Sequence, residues 1–163
     1  MKRDNIFVLT GKIRTGKTTA AIKWAKGKNA AGIVQPVIEG KRFFIDLTTE
    51  EKFGLTAERG DETIVVGDYV FSTEAFLRAR NILSSAINSD SEWIIIDEFG
   101  KLEVNNSGLE PTVSELIKIV RSESKKKLLI IIRDYLLEEF LERENLSRID
   151  VFIINSPEKL FYI

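Results

Sequence analysis

Short apolar runs rich in Ile and Val punctuate this chain, with stretches of helical spacing between them. Asn5–Thr10 reads as a buried strand, and Lys17–Lys26 as a helix with Ala21, Ile22, Trp24 and Ala25 turned inward. Ile33–Ile38 and Lys41–Leu47 flank Glu39-Gly40. That spacing predicts a β-hairpin, because glycine supplies the positive φ such a turn needs. Pro36 cannot donate to a ladder and marks its strand as an edge. Thr48–Glu62 is polar and mixed in charge, and reads as a loop. Thr63–Asp68 is the next strand. Ser72-Thr73-Glu74 opens a helix that reaches Asn88, with Ala75, Phe76, Ala79, Leu83 and Ile87 at helical spacing and a hydroxyl to cap its first turn.

Trp93–Asp97 is a further buried strand. Pro111–Ser122 is a helix carrying Val113, Leu116, Ile117 and Val120. Lys127–Ile132 is the most apolar strand, Tyr135–Glu144 a short helix, and Ile149–Ile154 the last strand before a Ser156-Pro157 tail. Setting the hairpin aside, five central strands (Asn5–Thr10, Thr63–Asp68, Trp93–Asp97, Lys127–Ile132 and Ile149–Ile154) alternate with helices. Continuous apolar runs imply burial on both faces, so the expected class is α/β with a mostly parallel sheet. With 163 residues and no repeat or linker, the chain reads as one domain over 1–163, with a hairpin insert at about 33–47.

Composition removes several chemistries. The chain has no Cys and no His, so thiolate, disulfide, Cys/His zinc and imidazole acid–base chemistry are all excluded. Catalysis must use carboxylates, Lys, Arg, hydroxyls or a metal held by oxygens. Net charge is -1, too balanced for a chain-wide field that attracts nucleic acid or anionic membrane. The basic run Lys125-Lys126-Lys127 reads as a solvated turn before a strand. The apolar stretch after the N-terminus is too short for a signal peptide or a span, and a cytoplasmic location is expected.

The stretch GKIRTGKTT, Gly11 to Thr19, follows the first strand and opens the first helix. It fits G-x-x-x-x-G-K-[ST], the Walker A pattern, through Gly11, Gly16, Lys17 and Thr18. Gly11 and Gly16 permit backbone shapes closed to other residues and let the chain approach a ligand. The amides of Lys12, Ile13, Arg14 and Thr15 then form an anion cradle at the positive end of the helix. Lys17 neutralises β- and γ-phosphates, Thr18 can ligate magnesium, and Thr19 can bond phosphate. The Arg14 cation could touch phosphate, or point to solvent or the nucleotide's edge and leave the cradle to the backbone, which is the favoured reading.

A second anchor is WIIIDEFGKLE, Trp93 to Glu103. Ligands of open α/β sheets sit at the carboxyl ends of the strands, so Asp97 should face the same crevice as the glycine loop. It can hold magnesium through water, while Glu98 can orient and polarise an attacking water. Arg133 ends the strand Lys127–Ile132 at the same edge and can stabilise transition-state charge, or pair with Asp134 or Asp97. Lys101 is a weaker candidate of the same kind. Phe43, Phe44 and Trp24 read as core rather than as a base-stacking platform.

The loop GKIRTGKTT, the segment VVGDYVFSTEAF, the block WIIIDEFGKLE and the later IRD together resemble the small cancer-related, also thermophile, nucleoside-triphosphatase family. The resemblance runs in order over nearly the whole chain. It implies a P-loop three-layer sandwich with a five-stranded sheet in the order 5-1-4-3-2. It also implies magnesium-dependent hydrolysis of ATP, GTP and other nucleoside triphosphates. Carried over by position, Gly11–Thr19 would bind phosphates, Asp97 would assist the metal, and Glu98 would activate water. The chain departs from the family in its loop interior Lys12-Ile13-Arg14-Thr15, in the segment GIVQPVIEGKRFFID, and in stopping at SPEKLFYI.

A nucleoside-triphosphatase is therefore the expected function, slow until a partner places a late cation. Two alternatives use the same loop. One is a small-molecule or nucleotide kinase, which needs an acceptor site and an arginine-bearing lid; Arg78 and Arg80 lie on a helix and could be mistaken for one, no other lid signal is visible, and Glu98 favours water as acceptor. The other is a nucleotide-binding switch without significant hydrolysis.

Overall fold

The computed structural model describes residues 5–122 and 125–163. In chain order the strands and helices are β1 (Ile6–Gly11), α1 (Lys17–Ala25), β2 (Ala30–Val34), β3 (Val37–Ile38), β4 (Lys41–Asp46), β5 (Lys52–Gly54), β6 (Thr63–Val66), β7 (Tyr69–Ser72), α2 (Thr73–Ala86), β8 (Trp93–Phe99), α3 (Lys101–Val104), α4 (Thr112–Ser122), β9 (Lys127–Arg133), α5 (Leu137–Arg143) and β10 (Phe152–Ile154). Tight 3₁₀ turns cover Asp134–Leu136 and Pro157–Tyr162.

The main sheet runs β10-β1-β9-β8-β2-β4-β3, with β5 added to β4. Its first five strands are parallel. Numbered along the chain, those five stand in the order 5-1-4-3-2, as the family resemblance implied. Strand alternation sends neighbouring residues to opposite layers. Ile94 and Ile96 of β8 join a core under α2, α4 and α5, while Trp93 and Ile95 join a core under α1 and the Pro157–Tyr162 turn. The same split divides Leu128, Ile130 and Ile132 from Leu129 and Ile131 on β9. Both faces are covered, which is why these strands read as unbroken apolar runs.

Three sequence expectations are corrected here. The second central strand is β2, not Thr63–Asp68. Ile33 and Val34 belong to β2, which pairs parallel with β8, so they are part of the sheet rather than of an inserted hairpin. The hairpin turn at Glu39-Gly40 does form, but between β3 and β4 (Val37↔Arg42, Ile38↔Lys41), and β4 continues the main sheet antiparallel to β2. Thr63–Asp68 instead supplies β6, which pairs only with β7 in a separate two-stranded ribbon. The physical reason is at Gly32. With φ +117, its backbone lies so near β8 that a Cβ would sit 2.1 Å from the Ile95 carbonyl oxygen. The glycine that looks like a breaker is there for close approach. The stretch read as loop, Thr48–Glu62, contains β5, held by backbone pairing of Phe44 with Phe53.

Candidate active site

The glycine loop sits at the carboxyl end of β1 and leads directly into α1. Gly16 stands at φ +82 as the N-terminal cap and makes no side-chain cap bond. The first-turn amides of α1 are thus left facing the loop, an arrangement suited to anions. Lys17 is buried and folds back over the loop. Its Nζ donates to the Gly11 carbonyl at 3.1 Å, the Lys12 carbonyl at 2.5 Å and Thr15 Oγ1 at 3.3 Å. Burial, with the nearby Arg133 charge, lowers the Lys17 ammonium from its usual range. Ile13, Arg14 and Thr19 are exposed, and Arg14 takes a left-handed backbone at φ 59.

The neighbouring strand brings in the acids. Asp97 is 1% exposed, and its Oδ2 accepts from Thr18 Oγ1 at 2.7 Å and from the Gln35 amide at 2.9 Å. The Gln35 side chain in turn donates to the Asp97 carbonyl at 3.0 Å. Burial, reinforced by the charge of Glu98, pushes the Asp97 carboxyl up to about 6. A cation at this spot would relieve that cost. The Thr18 hydroxyl and the Asp97 carboxylate are hard oxygen donors, already adjacent, and the set suits magnesium.

Between Ile96 and Phe99 the pairing of β8 with β9 shifts register. This irregularity re-aims successive side chains. Glu98 lies within it at φ 63, a strained backbone for a glutamate. Its two oxygens are held from opposite sides. Arg133 at the end of β9 donates to Oε1 at 2.7 Å, and Arg42 of β4 donates to Oε2 at 2.9 Å. Arg133 lies level with Gly11 in the β1–β9 register, so it stands beside the start of the loop. Just beyond, Glu103 is buried and accepts from the Gly100 and Leu109 amides at 2.9 and 3.0 Å. Burial pushes its carboxyl up to about 7.

The residues singled out from sequence therefore split cleanly. Gly11–Thr19, Asp97, Glu98 and Arg133 converge at one sheet edge. Trp24 and Phe44 are core, and Phe43 is half-buried beneath Lys52. Lys101 is exposed at the start of α3. Arg78 and Arg80 are engaged away from the site: Arg78 pairs with Glu51 at 2.5 Å, and Arg80 donates to the Gly108 carbonyl at 2.6 Å. Sequence reasoning missed Arg42 and Gln35. A signal for Arg42 was present in KRFFID, because it lies two residues before Phe44 and therefore on the same, inward face of the strand.

A glycine loop between β1 and a helix, with an acid at the end of an adjacent parallel strand, defines a P-loop protein of the nucleoside-triphosphate-binding class. A family model described as NTPase matches residues 6–160, and the chain belongs to that family. Two solved structures share the fold. THEP1 from the hyperthermophile Aquifex aeolicus aligns with TM-score 0.71 at 23% identity, covering 94% of this chain and 91% of that one. A human cancer-related nucleoside triphosphatase aligns with TM-score 0.67 at 22% identity, covering 98% and 94%. No curated protein matches the chain. Among the described residues no helix is long and apolar enough to cross a membrane.

Proposed function

We propose that this protein is a magnesium-dependent nucleoside triphosphatase that cleaves the γ-phosphate of ATP, GTP and other nucleoside triphosphates. The observation that carries the reading is the contact between Thr18 of the glycine loop and Asp97 at 2.7 Å, with Glu98 one residue further on. The loop amides and Lys17 bind the polyphosphate. Thr18 and Asp97 would hold magnesium, which would supply positive charge against the phosphates. Glu98 orients a water and accepts its proton as the water oxygen attacks the γ-phosphorus. The bond from that phosphorus to the β-bridging oxygen breaks, and a nucleoside diphosphate leaves. Arg133, beside Gly11, absorbs charge that develops on the equatorial oxygens.

This assignment is tested by phosphate release from MgATP and MgGTP. Glu98→Gln should lower kcat by about 10²- to 10⁴-fold, the span of a positioned general base, with KM nearly unchanged. Equal rates in parent and variant would remove Glu98 from this role.

A further inference from the structure

Beside Glu98 the fold encloses a cleft of about 430 Å³. Its lining includes Gln35, Arg42, Glu98 and Arg133 but no residue of Gly11–Thr19. It adjoins Glu98 without taking in the phosphate loop. An attacking water needs only about 30 Å³. The cleft is far larger than that, and within the roughly 300–1,000 Å³ of small-molecule sites.

The arrangement inside is paired. Arg42 and Arg133 grip the same carboxylate, and each is associated with a tyrosine. The Arg42 guanidinium lies 5.7 Å from the Tyr69 ring centre, and Arg133 donates to the Tyr135 hydroxyl at 3.4 Å. The two tyrosines stand at the mouth, 57% and 58% exposed, although both are large apolar rings. Tyr69 comes from the β6–β7 ribbon and Tyr135 from the turn after β9, so they approach from different parts of the chain. Leu55, Phe71 and Phe76 supply an apolar wall. Lys101, Asp68 and Glu103 also line the cleft, so its formal charges balance as a whole, but within the Arg42–Glu98–Arg133 group two guanidiniums share one carboxylate, and guanidiniums favour planar carboxylates and phosphates.

We propose that this cleft binds a second ligand, a planar ring bearing one carboxylate or phosphate, whose anion takes Arg42 from Glu98 and whose ring rests against Tyr69. Arg42 is then the anchor of the ligand. Its departure frees Glu98 Oε2, the oxygen it now occupies, to hold the attacking water, so the bound ligand accelerates hydrolysis. The acceleration rests on the reading of Glu98 given above, while the binding does not.

The test titrates intact protein calorimetrically with benzoate and with phenyl phosphate, which separates the two anions. Each titration is repeated in the presence of ADP. Saturable binding of at least one probe, undisturbed by ADP, is expected. Arg42→Gln should weaken it about tenfold, the loss of a charge-assisted hydrogen bond. Tyr69→Ala, at an exposed position that puts little strain on the fold, should weaken it roughly threefold. Saturating probe should raise MgATP turnover in the parent and leave Arg42→Gln unaffected. Failure of both probes to bind, displacement by ADP, or parental affinity in both variants overturns the site. Binding without acceleration, in a parent that hydrolyses MgATP, overturns the link to Glu98.

Discussion

The two sides of Glu98 are built on different principles. On the loop side, the proposed binding residues are nine consecutive ones, Gly11–Thr19, and most of the work assigned to them falls to backbone amides. On the cleft side, Glu98 is held by Arg42 from β4 and Arg133 from β9, side chains 56 and 35 positions away in sequence. The first arrangement is local and shape-based. The second is assembled by the sheet and depends on individual charged groups. Side-chain replacements in the loop interior should therefore be tolerated, with Lys17, Thr18 and the two glycines excepted, whereas loss of Arg133 on the other side should be costly.

The largest effect that sharpens this contrast is expected at Arg133. Arg133→Ala should lower kcat by about 10²-fold, as for loss of one preorganised donor, with a smaller change in KM. Steady-state kinetics with MgATP checks this, and an unchanged kcat would break the contrast. Lys17→Ala should act on the other quantity. Removing one charged hydrogen-bond donor weakens nucleotide affinity by about 10- to 100-fold, measured by equilibrium binding without turnover.

A subtler test uses pH. The Glu103 carboxyl is raised from 4.5 to about 7 by burial, so in this window the folded state holds a proton that the unfolded state has released. This group's contribution to stability is then fully present below pH 4.5 and is lost as pH rises towards 7. Denaturant melts at several pH values should show this decline, and Glu103→Gln should flatten it. At the bottom of the scale, Arg14→Ala should change nucleotide affinity by less than about twofold, because the exposed side chain leaves the amide cradle intact. A large loss there would make the loop as dependent on side chains as the opposite wall.

The same contrast explains what the sequence disclosed. The glycine loop was legible because the residues that form it are contiguous. Asp97 and Glu98 were legible because two adjacent acids close an otherwise apolar run, at the strand end where a sheet of this class places its ligands. Arg133 followed by the same logic from the end of β9. The parallel order came through the resemblance, and the strand assignments beneath it were less secure. Ala30-Ala31-Gly32 lacks the bulk of a buried strand, and nothing local reveals that Gly32 must pass within contact of Ile95. β5 is polar, and its place depends wholly on β4. Arg42 shares the inward face of its strand with Phe44, but nothing in the sequence links it to Glu98. Only the pairing of β2 with β4 carries it round to Glu98.

The hold of Lys17 on its own loop has a consequence for what can dislodge it. With Gly11, Lys12 and Thr15 already satisfying the ammonium, an incoming anion competes with three existing partners rather than with bare solvent. A chain of phosphates can replace all three, but a lone orthophosphate offers too little in exchange. The reaction's small product should consequently be a feeble inhibitor, and turnover should continue at phosphate concentrations that would stall an open anion pocket.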